Sequence, residues 1–354
     1  MEREFYVSKD GTKVIVVAPF AELEHIIDNM NRFKYKYDHL LIMGNGFDLN
    51  LGLPTTYRNF VESSIFKKMY EERMQEKRKQ KNSQPSLVDY LHGKMFYERW
   101  FDIEQALFEY ISRKPDGTFV NNADEDRKDY ELVCNALVKY FANIFKSLSY
   151  NEIDKMREMP SGRLLRALNS SRNVVYTFNY TPIEEVLETI STKKVHGKIE
   201  IDTIAKGEMN KSHIILGIET KEVSNIAPDY TFLLKSNNTA FSSSRIALDL
   251  LQTRNVIFFG HSLNQIDFGY FEEYFKTLST NTDNERSLTL ITKDEKSRVS
   301  LLDNLRNMGI DVRDVFTHTK VEIILTDLLD NNKNEFEKFE KLISKVKCNN
   351  KSGL

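Results

Sequence analysis

The chain has 354 residues, a formal net charge of −2, 40% hydrophobic residues and two cysteines. That length suits one large domain, or a core domain with a sizeable insertion, and the apolar share is enough to bury a core. The near-neutral balance gives no sign of a nucleic-acid footprint. Cys134 and Cys348 lie far apart and outside any Cys-x-x-Cys pair, which argues against a thiolate zinc site or a disulfide framework.

Met1-Glu2-Arg3-Glu4 lacks the basic and apolar regions of a secretory leader. No apolar run approaches the roughly 18–20 residues that span a bilayer. The expectation is a soluble cytoplasmic protein without a membrane partner. Phe5-Tyr6-Val7 and Val14-Ile15-Val16-Val17 flank Asp10-Gly11, a favoured tight-turn pair, and predict a β-hairpin over 5–19. A short helix over about 21–34 leads to His39-Leu40-Leu41-Ile42-Met43, the first buried strand, ended by Gly44-Asn45-Gly46.

From residue 56 the character becomes helical. The charge run Glu71 to Lys79 reads as a solvated helix, with a basic contact surface as the minor option. Helical spacing recurs over 98–112 and 126–149, for example at Leu132, Ala136, Val138, Phe141 and Phe145.

Strand signals return at Asn173–Phe178, Lys194–His196, His213–Gly217, Asn255–Gly260 and Leu288–Thr292, separated by helical stretches near 182–191, 239–253, 268–279 and 294–308. Apolar strands alternating with helices predict a parallel sheet covered on both faces. A last helix over 324–346 caps the chain, and the Lys/Asn tail behind it is expected to be disordered. The fold class is thus α/β: a Rossmann-like three-layer parallel sheet with a large helical insertion and an N-terminal β-hairpin. The expected division is 1–37 hairpin and helix, 38–55 with 171–320 the nucleotide-binding core, 56–170 the insertion, and 321–354 the C-terminal helix and tail.

Four motifs sit at strand ends, where ligands of open α/β sheets bind. In the first, Gly44, Asn45, Gly46, Phe47 and Asp48 are followed by Gly52-Leu53-Pro54-Thr55. Such a turn lets backbone approach a ligand and can present N–H groups to a pyrophosphate; many such turns are only turns. In the second, Thr177-Phe178-Asn179-Tyr180-Thr181, Asn179 either faces a ligand or caps the helix beginning near Pro182. In the third, Val195-His196-Gly197, the histidine is a general base or a surface turn residue. In the fourth, Gly260, His261 and Ser262 lead through Leu263-Asn264-Gln265-Ile266 to Asp267, which is a helix cap by itself or part of a phosphate or ribose site with its neighbours. Asp102 and Glu104 in Trp100-Phe101-Asp102-Ile103-Glu104 lie roughly 200° apart on a helix and so do not share a face; Glu104 is the further candidate. Histidines do not cluster in the sequence, and no metal is expected.

Together these motifs resemble the abortive-infection AbiH family of bacteriophage defence, over roughly residues 38–280. That family is in turn similar, more remotely, to the sirtuin-like NAD-binding superfamily. The sirtuin Gly-Ala-Gly-x-Ser turn and its Gly-Ile-Pro sequel match Gly44, Gly46, Gly52 and Pro54, with Asn45 for alanine and Asp48 for serine. Thr-x-Asn-x-Asp matches Thr177 and Asn179, with Thr181 for aspartate; the His-Gly pair matches His196-Gly197, and Gly-x-Ser matches Gly260-His261-Ser262. The zinc-binding cysteines of the deacetylases are absent, which argues against deacetylation. The resemblance implies an infection-triggered NAD glycohydrolase. NAD would be the substrate, with another nucleotide as the alternative ligand. Asn179 would position ribose and water, and His196 would be the base. Gly44, Asn45, Gly46, Phe47, Asp48, Pro54, Thr177, Gly260, His261, Ser262 and Asp267 would contact the cofactor. A phage-derived trigger and a homo-oligomer are expected. The alternatives are a nucleotide-binding sensor without chemistry, and a metal-dependent nuclease or phosphodiesterase with Asp48, Glu104 and Asp267 around the metal.

Overall fold

A computed structural model describes residues 2–9, 12–19, 34–81, 84–97, 102–112, 122–199, 213–218, 227–237, 245–280 and 285–351. The expected hairpin is present: β1 (Glu2–Lys9) pairs antiparallel with β2 (Thr12–Pro19). The helix expected over 21–34 lies almost wholly outside the described residues.

The central sheet has six strands, β3 (Tyr37–Met43), β4 (Asn173–Thr177), β5 (Lys193–Lys194), β8 (Thr253–Phe259), β9 (Ser287–Thr292) and β10 (Lys320–Leu325), in the order β10-β9-β8-β3-β4-β5. Every pairing is parallel. Counted along the chain this is the Rossmann order, with the chain reversing direction across the sheet between β3 and β8. Ligands of such sheets bind beyond the strands' C-terminal ends at that reversal, which is where Gly44 and Gly260 stand.

The strands read as continuous apolar runs because both faces are covered. One face, through Leu40, Ile42, Val256, Phe258 and Leu290, packs on α10 (Ile246–Leu251), α11 (Glu272–Ser279), α12 (Glu295–Asn307) and α13 (Val312–His318). The other, through Leu41, Met43, Val175, Ile257 and Phe259, packs on α1 (Asn45–Asn50), α7 (Tyr150–Glu158), α8 (Pro160–Ala167) and the last helix, α14 (Lys333–Lys351). Helices α7 and α8, which fall in the stretch read as insertion, thus belong to the sheet's own core.

A third core lies outside the sheet. It joins α2 (Tyr57–Glu62), α3 (Ser64–Lys79), α4 (Leu87–Tyr97), α5 (Ile103–Ser112) and α6 (Ala123–Lys146) to Ile199, Ile214, Leu216, Ile218, Tyr230 and Leu233. The segment expected as a core strand over 213–217 is instead β7 (His213–Ile214), paired antiparallel with β6 (Gly197–Lys198). Its apolar residues serve the insertion rather than the sheet.

The C-terminal reading also shifts. Lys320–Leu325 is a full edge strand, where the helix was expected to begin at 324, and the helix then continues through the Lys/Asn tail to Lys351. The charge run at 71–79 is not merely solvated: Arg73 and Lys77 are buried, Arg73 against Asp129 and Lys77 against Asp89, each on another helix. Among the described residues no helix is long and apolar enough to cross a membrane.

Candidate functional site

The two glycine turns at the chain reversal meet each other. A Cβ on Gly44 would stand 2.5 Å from the His261 Cα, and one on Gly46 2.6 Å from the Gly260 Cα. Gly260 itself has φ +63°, a conformation only glycine adopts freely. The Gly44 N–H donates to the Phe259 carbonyl at 3.0 Å and the Gly46 N–H to the Gly260 carbonyl at 2.9 Å. The glycines therefore serve first to bring the two loops together, and both of their N–H groups are used in doing so. Phe47 is buried edge-on against Phe259, in the sheet core. Asn45 accepts a hydrogen bond from Thr55 Oγ1 at 2.7 Å, which ties the turn to the Gly52–Thr55 sequel. Pro54 is exposed, and its carbonyl accepts from Tyr140 of α6 at 2.7 Å.

Asp48 lies one turn into α1 and is fully buried. Its Oδ1 accepts from Asn179 Nδ2 at 2.9 Å and its Oδ2 from Thr181 Oγ1 at 2.7 Å. Asn179 Nδ2 also donates to the Gly44 carbonyl at 2.9 Å, and the Asn179 N–H donates to Thr177 Oγ1 at 3.1 Å. With both amide protons on protein acceptors, the side chain's orientation is fixed, and its Oδ1 is the atom left to meet a ligand. The capping alternative for Asn179 falls away: Pro182 precedes the short helix α9 (Ile183–Val186), which has no side-chain cap. Burial pushes the Asp48 carboxyl up to about 7, against the hydrogen bonds from Thr181 and Asn179 that favour its charged form.

A second group forms beside the first. His196, just past β5, has its Nε2 2.9 Å from Lys235 Nζ and 3.4 Å from Asp267 Oδ1. Lys235 Nζ lies 3.1 Å from Glu104 Oε2 and 3.6 Å from Asp267 Oδ1. His261 Nε2 lies 3.8 Å from Asp267 Oδ2, and Glu104 Oε1 accepts from the Gly217 N–H at 3.4 Å. All five side chains are buried. The Phe178 ring stands edge-on to both imidazoles, with centroids 5.1 Å from His196 and 4.5 Å from His261. Phe178 and Tyr180, the chain neighbours of Asn179, thus frame His196 from the strand that carries the asparagine.

The loop after β8 holds this geometry. His261 Nδ1 accepts from the Leu263 N–H at 3.0 Å, and Leu263 is one of the few non-glycine residues at positive φ, +51°. Burial drops His261 to about 4, so it is neutral near pH 7, with its proton assigned to Nε2. Asp267 does not cap the turn that follows it; it faces the histidines. Burial would raise its pKa, but Lys235 and the two histidines hold it well below the usual carboxylate range. Burial would likewise lower Lys235, but Glu104 and Asp267 hold it above its ordinary value. Asp267 Oδ1 is buried and has no well-formed hydrogen bond among the described residues.

Most sequence candidates therefore converge, in two adjoining groups: Asp48 and Asn179, with Thr177 beside them, and Glu104, His196, His261 and Asp267. Asp102 sits at the start of α5 and serves its backbone: its Oδ1 accepts from the Glu104 and Gln105 N–H groups. Trp100 and Phe101 of that motif lie outside the described residues. Ser262 is exposed, and its carbonyl accepts from Asn304. Lys235 is the residue that sequence reading missed. Its one signal is a lysine closing the apolar run Phe232-Leu233-Leu234.

The fold and this site define a Rossmann-ordered α/β protein with a buried acid, base and amide set at the C-terminal edge of its sheet. A family model described as bacteriophage abortive infection AbiH matches residues 40–287, from the first core strand to the start of β9. The chain belongs to the AbiH family, and abortive infection is the role that family carries. No curated protein matches it.

Proposed function

We propose that this chain is the effector of an abortive-infection response and acts as an NAD glycohydrolase, cleaving the nicotinamide–ribose bond. The observation that carries the reading is His196 beside the ionised Asp267, next to an asparagine whose carbonyl oxygen alone is left for a ligand. In the cleavage, the C–N bond to nicotinamide breaks as water adds to the ribose carbon through an oxocarbenium-like state. Asn179 Oδ1 holds a ribose hydroxyl or the water. His196 Nε2 takes the proton, and Asp267 Oδ1 steadies the imidazolium that results. The buried carboxylates favour the positive charge that develops on the sugar.

The two departures from the sirtuin pattern support the same reading. Asp48 stands for serine and Thr181 for aspartate, and the two are hydrogen-bonded to each other. The hydroxyl and the carboxylate expected at those positions are both present, exchanged. Asp48, with both oxygens on protein donors, is also kept from opposing a phosphate.

One observation favours a second reading, metal-dependent phosphodiester cleavage: ligand atoms of Glu104, His196 and Asp267 lie within 4.8 Å of one another. Asp48 is not of that group. The test is nicotinamide release from NAD by purified protein, followed by chromatography with and without chelator. The glycohydrolase reading expects release that chelator leaves intact and that His196→Ala and Asn179→Ala abolish. Cleavage of a phosphodiester that stops with chelator would replace it. Tight nucleotide binding with no turnover, even in infected cells, would favour a sensor.

A further inference from the structure

Three side chains whose ligand atoms lie within 4.8 Å of one another commonly meet around a divalent cation. Here the space among Glu104, His196 and Asp267 belongs to an ammonium. Lys235 Nζ is 2.9 Å from His196 Nε2, 3.1 Å from Glu104 Oε2 and 3.6 Å from Asp267 Oδ1. Its side chain is 1% exposed, so it does not visit this place from solvent. We propose that Lys235 is the resident cation of the site, standing where a Glu–His–Asp ligand set would otherwise hold a metal, and that it keeps the site metal-free.

Charge accounting supports this. Two buried carboxylates side by side need a compensating positive charge. Among the described residues Lys235 is the lysine or arginine paired with either of them. A metal could enter only by expelling the ammonium from these acceptors.

The arrangement also gives Lys235 a positioning role that a metal could not take. A metal on Nε2 would hold that lone pair permanently. An ammonium on a flexible stem donates to Nε2 while the site is at rest and can turn wholly to Glu104 and Asp267 when a substrate proton arrives. This role rests on His196 being the base proposed above; occupation of the metal position does not, and its test reads no NAD chemistry.

The test is titration of the full chain with Co²⁺, a coloured stand-in for zinc, followed by visible absorption and calorimetry. Wild type should take up no stoichiometric Co²⁺. Lys235→Ala should gain a site with ligand-field bands, and adding Glu104→Gln to that variant should abolish it. Lys235→Ala leaves two carboxylates uncompensated and is a candidate to misfold alone, so circular dichroism is followed with and without Co²⁺; recovery of fold on adding the metal is the same result in another form. Lys235→Met combined with Glu104→Gln, which removes one charge of each sign, should fold without metal and bind none. The proposal is overturned if wild type binds stoichiometric Co²⁺ at a site lost in Glu104→Gln. It is equally overturned if Lys235→Ala, folded or not, takes up no more Co²⁺ than wild type.

Discussion

The helical insertion and the strand-end site both bury charge, and they do so in opposite ways. In the insertion, Arg73 Nε donates to Asp129 Oδ1 at 2.6 Å, while Asp129 Oδ2 accepts the Val88 N–H at 3.0 Å. Asp126 nearby accepts from the Leu87 N–H at 2.8 Å and from the hydroxyls of Tyr110 and Tyr230 at 2.9 and 2.6 Å. Every oxygen of these two carboxylates is met by a close donor. In the site, the contacts around Asp267 run from 3.4 to 3.8 Å, and its Oδ1 has no well-formed hydrogen bond among the described residues. Saturated buried charge fixes a scaffold, since nothing is left for a ligand to improve. Unsaturated buried charge is costly to fold and makes sense where a ligand or a moving proton completes it.

That contrast can be broken by removing residues from each region. The largest effect is expected in the site and on activity: His196→Ala and Asn179→Ala should lower NAD turnover by about 10²–10⁴, the usual effect of losing a general base or its positioning partner, an effect that outweighs the roughly 1–3 kcal/mol of stability expected from the buried hydrogen bonds lost. If either variant lost stability and activity in proportion, the site would be scaffold like the insertion. The next effect is on stability. Arg73→Met leaves Asp129 and Glu125 without their shared guanidinium, and should cost roughly 3–5 kcal/mol in denaturant unfolding. The smaller change Gly46→Ala drives a methyl toward the Gly260 Cα at 2.6 Å. It should cost about 1–3 kcal/mol, as overpacking does, and weaken NAD binding through displacement of the His261 loop; unaltered binding would separate that loop from the site.

The finest test is pH. The Asp48 carboxyl is pushed up to about 7 from its ordinary 3.8 by burial. Between those values the folded chain binds a proton that the unfolded chain has released. The contribution of this group to stability is therefore present at low pH and lost as pH rises from about 4 to about 7. Asp48→Asn should flatten that part of the stability profile, read as denaturant midpoints across the window. An unchanged profile would mean that Asp48 is ionised throughout.

The two regions were also unequally readable in the sequence. The sheet was clear because strands covered on both faces must be apolar throughout, as at Leu40–Met43 and Val256–Phe259. The strand-end positions of Asn179, His196 and Asp267 followed from where those runs stop. Lys320–Leu325 was missed because an edge strand is half solvated: Lys320 and Glu322 alternate with apolar residues and blur into the helix behind. His213–Gly217 was misplaced because an apolar run records burial, not which core receives it. Lys235 carried almost no signal, since its partners, Glu104 and His196, are 131 and 39 residues away. The inward turn of Arg73 and Lys77 was hidden for the same reason: Asp129 on α6 and Asp89 on α4 draw them inward, which no local charge pattern shows.

Under the proposed function, the unsaturated site cleaves NAD once infection begins. The most direct measurement is the NAD content of cells expressing this chain, sampled through a phage infection, against cells expressing His196→Ala at equal level. NAD should collapse before lysis with the wild-type chain and hold with the variant, with phage yield falling only in the first. Constant NAD in both, while the wild-type chain still blocks the phage, would contradict it.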